Sequence, residues 1–120
     1  MSDEYFYVRF RFSPKIGVRT GPTTRPQQAV VEVPRDLVRR KQSEFMNENP
    51  REKTIALDLA RRAALAVFSA AEQRLAWPCN EDALWYEDRH PVMNERSCDF
   101  EDNGIRAWRI PEGSGLFERV

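Results

Sequence analysis

The chain lacks most of the features that identify an enzyme, a metalloprotein or a membrane protein. Its 120 residues include one histidine, two cysteines and five glycines, and no apolar run approaches the ~18 residues that a membrane-spanning helix needs. No C-x-x-C pair and no glycine-rich phosphate loop is present. The length, with 41% hydrophobic and 32% charged residues, predicts a single globular domain over residues 1–120, and the missing motifs predict that it needs no cofactor.

The beginning of the sequence does not predict a secretory signal. The first ten residues, MSDEYFYVRF, begin acidic and do not have the basic-then-apolar order of such a signal. We therefore expect a cytoplasmic protein with no membrane partner. In that reducing compartment Cys79 and Cys98 are expected to be free thiols, because disulfides are rare there.

What the sequence does have is charge that is balanced in total but separated along the chain. Residues 1–78 contain 14 Lys or Arg and 9 Asp or Glu, whereas residues 79–120 contain 5 and 10. The densest acidic stretch, residues 81–102, carries eight carboxylates against Arg89 and Arg96. Opposite potentials on two parts of a molecule govern which partners it meets, so the pattern indicates recognition rather than catalysis.

Hydrophobic periodicity predicts an α+β fold in which a mostly antiparallel sheet packs on a long central helix, in the order ββααβββ. Residues 5–12 alternate strictly between the two faces of a strand. The apolar side of this strand consists of Phe6, Val8, Phe10 and Phe12. A second strand is expected over residues 29–33, followed by helices over residues 35–47 and 52–76.

Two further features come from local patterns. Helix 52–76 is apolar around most of its circumference, which predicts a homodimer formed through this helix. Leu84–Tyr86 reads as a short strand, and Asn103–Gly104 predicts a hairpin because both residues tolerate the positive φ of a type I′ turn. The expected register pairs Glu101 with Arg106 and Phe100 with Ala107.

The acidic stretch is interleaved with aromatic residues, a composition typical of binding hot spots with a charged rim. We therefore expect a small non-enzymatic binding protein that occupies the surface of a basic protein partner, as an inhibitor, immunity-type protein or adaptor. Its predicted interface consists of Trp85, Tyr86, Glu87, Asp88, Glu101 and Asp102. In the alternative interpretation, these acids neutralise the basic part of the same molecule.

A second hypothesis is nucleic-acid or nucleotide-phosphate binding. Rings that stack on bases and cations that follow phosphates are the usual elements of such surfaces. The candidate anion-binding residues are Tyr5, Tyr7, Arg9, Arg11, Arg39 and Arg40. The net charge of zero and the absence of an RNA-binding signature make this hypothesis the weaker one.

A third hypothesis is a small hydrolase or metal protein built around His90. Cys79, His90 and Cys98 carry the donor atoms that zinc prefers, and a Cys–His pair can act as a nucleophile and base. Their spacing of ten and seven intervening residues matches none of the compact ligand pairs of known zinc sites. We therefore expect neither a metal nor a catalytic residue.

Overall fold

The computed structural model describes residues 4–14, 27–45, 50–68 and 79–110, which form an α+β fold with one five-stranded antiparallel sheet. The strands are β1 (Tyr5–Pro14), β2 (Gln27–Pro34), β3 (Cys79–Tyr86), β4 (Phe100–Asp102) and β5 (Ile105–Ile110). The helices in this part of the chain are α1 (Arg35–Ser43), α2 (Glu52–Ala66) and α3 (Pro91–Glu95). Across the sheet the strands follow the order β3-β1-β2-β5-β4, so β3 and β4 are its edges.

Two parts of the predicted order are not confirmed. The element α3 lies between β3 and β4, so the described order is ββααβαββ instead of ββααβββ. A five-residue helix is too short to produce a helical periodicity in the sequence. The predicted long central helix ends at Ala66, with Val67 as its C-cap, and its expected continuation over residues 69–76 lies outside the described residues.

The helix side of the sheet contains the larger core. The alternation of β1 is confirmed, because its four apolar residues are buried against the helices. This helix-side core consists of Phe6, Val8, Phe10, Phe12, Ala29, Val31, Val33, Ile105 and Ala107 from the sheet, and Leu37, Val38, Ile55, Ala56, Ala60, Ala63, Ala64 and Phe68 from the helices and the turn after α2. The four buried alanines of α2 allow the helix to lie close to the strands.

The opposite face of the sheet is covered by residues 87–98, which we call the roof. Val92 and Met93 of α3 pack on Tyr7, Val30 and Trp108, and all five side chains are buried. The roof is also fixed to the sheet by the Trp108 indole, whose Nε1 donates a hydrogen bond to the Arg96 carbonyl over 2.9 Å. The sheet is therefore sandwiched between α1 and α2 on one side and a shorter cover on the other.

The hairpin at Asn103–Gly104 is confirmed. Both residues have positive φ, 53° and 85°, and the strands pair Glu101 with Arg106 and Phe100 with Ala107, as expected. None of the helices in the described part of the chain is long and apolar enough to span a membrane.

Candidate protein-binding edge

The candidate site is a run of exposed residues along one edge of the sheet. Strand β3 pairs with β1 on one side, and no other described strand pairs with its second side. Residues 81–84 are exposed, Trp85 and Tyr86 are half-buried, and Glu87 and Asp88 are exposed in the bend that follows. We call residues 81–88 the β3 edge; it contains four carboxylates and no cation.

On the helix side of the β3 edge, the side chains of Glu81 and Trp85 both have partners within the molecule. The Nε of Arg61 on α2 donates to both carboxylate oxygens of Glu81, over 2.9 and 3.0 Å. Trp85 packs edge-to-face on Phe6 with 6.0 Å between ring centroids, and the Lys53 ammonium lies 5.4 Å from the centre of its ring. Trp85 is therefore a partly buried residue at the border of the helix-side core, and the Lys53 ammonium lies over its ring.

On the roof side, the same edge presents Asp82, Leu84 and Tyr86. Leu84 is 37% exposed, and among the described residues it and Phe45 are the exposed large apolar side chains. The Tyr86 ring contacts the His90 ring at a centroid distance of 5.5 Å. Burial raises the pKa of Tyr86, and the positive charge of Arg9 opposes this rise. Exposed Leu84 lies between Asp82 and Tyr86 on this side and gives the edge an apolar contact point.

The structure does not bring together the six residues predicted for the acidic interface. Trp85 and Tyr86 point to opposite faces of β3, and only Glu87 and Asp88 follow them directly. Glu101 and Asp102 lie on β4, the other edge of the sheet, about 19 Å away if strands are spaced ~4.8 Å apart. Glu101 is also occupied there, since its Oε2 accepts a hydrogen bond from Arg106 over 2.8 Å. The predicted single face is thus two separate acidic edges.

The residues predicted to bind nucleic acid are also divided between two sides of the molecule. Tyr5, Tyr7, Arg9 and Arg11 share the roof side of β1, whereas Arg39 and Arg40 lie on α1 in the helix layer. Tyr7 is only 2% exposed because α3 covers it, and Tyr5 stacks on it at 6.2 Å. A ring that is buried in this way offers no face for a base, so the geometry does not favour this hypothesis.

His90 has a structural position at the start of α3. It is 3% exposed, and its Nδ1 accepts a hydrogen bond from the Val92 backbone N–H over 3.2 Å, which makes it the N-cap of the helix. Burial lowers its pKa, with a further contribution from Arg9, so the neutral imidazole is favoured. Cys98 is a half-buried free thiol, and the Cys79 side chain lies outside the described residues. Within the described ranges, no group of three His, Cys, Asp or Glu residues is placed to hold a metal.

Sequence reasoning missed the ion pair that holds the roof to the sheet. Arg89 Nη1 donates to both oxygens of Glu32 over 3.0 and 3.1 Å, and its Nη2 donates to the Met93 carbonyl over 3.1 Å. Glu32 is 2% exposed. The signal was present, because a single carboxylate in the apolar run Ala29–Val33 alternates to the same face as Val30 and must find a cation there.

The arginines near this pair do not form an anion site. A small cleft between the roof and β5 is lined by three guanidinium groups, and each of them already binds a carboxylate. The pairs are Arg89 with Glu32, Arg96 with Asp99, and Arg106 with Glu101. Because the charges cancel locally, the cleft has no surplus of positive charge to attract a phosphate.

Comparisons of the chain with protein-family models, curated proteins and solved structures return no match.

Proposed function

We propose that the protein is a small non-enzymatic binding protein that occupies the surface of a basic protein partner through its β3 edge, in an inhibitor, immunity-type or adaptor role. One observation carries the proposal: four exposed residues, 81–84, run along an edge strand and lead into exposed Glu87 and Asp88. We also propose that the protein acts in the cytoplasm. Of the two acidic edges of the sheet, the proposed interface includes the β3 edge and leaves out Glu101 and Asp102 on β4.

The charge distribution supports a cationic partner. Arg61 neutralises Glu81, but no ion pair joins Asp82 or Glu87 to another described residue. Exposed carboxylates of this kind steer a basic partner towards the surface and accelerate association. Leu84 then provides an apolar contact at the centre of the edge.

Charge reversal on the two acidic edges tests the proposal. We expect Asp82→Lys combined with Glu87→Lys to abolish capture of the partner from an extract of the source cells, since like charges would then face each other. The matched control is Glu101→Lys combined with Asp102→Lys on β4, which changes the net charge equally and should preserve capture. Quantitative mass spectrometry of the captured proteins compares wild type and both variants, after thermal melts show that all three are folded.

Two results would contradict the proposal. In the first, the β3 and β4 variants capture the same proteins as the wild type. In the second, a random oligonucleotide binds with a micromolar Kd that rises steeply with salt and with Arg9→Ala or Arg11→Ala, because phosphate binding releases counterions. The second result would favour the nucleic-acid hypothesis.

A further inference from the structure

The two edges of the sheet differ in how much backbone they leave open. Strand β3 has eight residues, and each is in register with a residue of β1, from Tyr7 with Tyr86 to Pro14 with Cys79. In an antiparallel pair, alternate residues point their N–H and C=O groups away from the partner strand. A long edge strand therefore presents a row of hydrogen-bonding groups that can pair with another chain. Strand β4 has only three residues.

The side chains of residues 81–86 leave the outer edge of β3 accessible. Residues 81–84 are exposed, and Ala83 offers no bulk on the helix side of the strand. Trp85, the largest side chain of β3, is directed into the helix-side core against Phe6. An incoming strand would lie beside the exposed half of β3 without displacing a packed side chain.

Charge decides what kind of strand fits there. Residues 79–88 carry four carboxylates and no Lys or Arg. If β3 of a second copy paired antiparallel with it around Asp82 and Ala83, Glu81 and Asp82 of both copies would occupy neighbouring cross-strand positions. These carboxylates would be diagonal neighbours, where their like charges repel weakly, whereas a cation directly opposite Asp82 would stabilise the strand pair. The edge thus disfavours a second copy and favours a cationic strand.

We propose that the outer edge of β3, with which no other described strand pairs, takes up an extended basic segment of the partner as a sixth strand of the sheet. This inference rests on the proposed function and adds the mode of binding, in which main-chain hydrogen bonds supply affinity and Asp82 and Leu84 select alternate side chains. The segment has basic residues beside the carboxylates and an apolar residue beside Leu84.

The probe for this inference is a capped eight-residue peptide of repeating Val-Val-Lys-Lys, because Asp82 and Leu84 lie two positions apart on the same face of β3 and the peptide must place Lys beside one and Val beside the other. A second peptide of the same sequence carries N-methyl groups on two adjacent central residues, which blocks one amide on each of its edges and keeps its charge. We expect the unmodified peptide to bind the wild-type protein and the methylated peptide to bind at least tenfold more weakly. Fluorescence anisotropy measures both, and β3 amides should gain protection from hydrogen exchange with the unmodified peptide only. Asp82→Lys should weaken binding, whereas Asp102→Lys should not.

The outcomes separate this inference from the proposed function. Equal binding of both peptides, weakened by Asp82→Lys, would overturn strand addition and leave the acidic binding surface standing. Binding of neither peptide would overturn strand addition, and the capture experiment would then decide the proposed function by itself. A light-scattering mass of twice 14.1 kDa, together with protection of the β3 amides from hydrogen exchange in the protein alone, would overturn the basic partner in favour of a second copy.

Discussion

The two faces of the sheet are covered by different chemistry. On the helix side, α1 and α2 bury aliphatic and phenyl side chains, and the strand residues there are almost all apolar. On the roof side, residues 87–98 add a smaller apolar patch and three directed polar contacts. These contacts are the Arg89–Glu32 ion pair, the His90 cap of α3 and the Trp108 hydrogen bond to the Arg96 carbonyl.

This difference predicts how each face responds to substitution. Apolar burial is non-directional and spread over many side chains, so no single residue carries it. A buried polar contact depends on two specific groups, and removing one leaves the other without a partner in a dry environment. Substitutions that remove one polar partner should therefore lower the free energy of unfolding more on the roof side. On the helix side, the more damaging substitutions should be those that replace a large apolar side chain by a small one.

The largest expected effect is at the ion pair under the roof. Arg89→Ala leaves the carboxylate of Glu32 buried without its cation, and we expect a loss of about 2–4 kcal/mol in the free energy of unfolding. The value lies below that for a fully buried pair because Arg89 is 34% exposed. Urea unfolding followed by circular dichroism measures it.

The exposed pair next to it provides a matched control. Arg106→Ala removes the partner of Glu101 in the same row of the sheet, where both side chains are about half exposed, and should cost at most about 1 kcal/mol. Adding Glu32→Gln to Arg89→Ala should recover part of the stability, since the uncompensated charge is then gone. Equal losses for Arg89→Ala and Arg106→Ala would remove the distinction between the two faces.

The sequence predicted the helix side well and the roof poorly, for a physical reason. The alternation of β1 is visible in the sequence because a strand buried on one face has a period of two. The roof has no such signal: α3 is one turn long, and Arg89 reaches Glu32 across 57 positions of sequence. Whether acidic residues share a surface depends on the order of strands, which separates β3 from β4 by the whole sheet.

The second prediction concerns two neighbours on the β3 edge. Because Trp85 packs on Phe6, Trp85→Ala should lower the free energy of unfolding by about 1–3 kcal/mol, less than for a fully buried tryptophan. Leu84→Ala removes an exposed side chain and should change stability by less than about 0.5 kcal/mol while weakening partner capture. Thermal melts and the capture assay, applied to both variants, measure the two effects.

The opposite pattern would change the assignment of these residues. If Trp85→Ala melted at the wild-type temperature and lost the partner, Trp85 would be the aromatic anchor that the sequence predicted. The acidic edge would then bind from its helix side, where Lys53 lies over the indole ring.

The smallest expected effect is the pH dependence that His90 gives to the roof. Burial, aided by Arg9, lowers the pKa of His90 below its ordinary value of 6.5, while Glu95 acts weakly in the other direction. The unfolded chain then takes up a proton near pH 6.5 that the folded chain does not. The contribution of His90 to the free energy of unfolding is therefore fully present above pH 6.5. It is lost as the pH falls towards the lower pKa that His90 has in the folded protein.

His90→Asn separates this titration from the capping role. Asparagine keeps an oxygen that accepts the Val92 N–H, but it does not titrate. We expect the wild type to lose stability relative to His90→Asn as the pH is lowered from 7 to 5, measured as the difference between their unfolding free energies at each pH. Carboxylates shared by the two proteins cancel in this difference. A difference that stays constant over this range would mean that the imidazole is protonated as easily under the roof as in the unfolded chain. In that case the roof would be wetter than the helix side, and its polar contacts would be weaker than the burial of Glu32 implies.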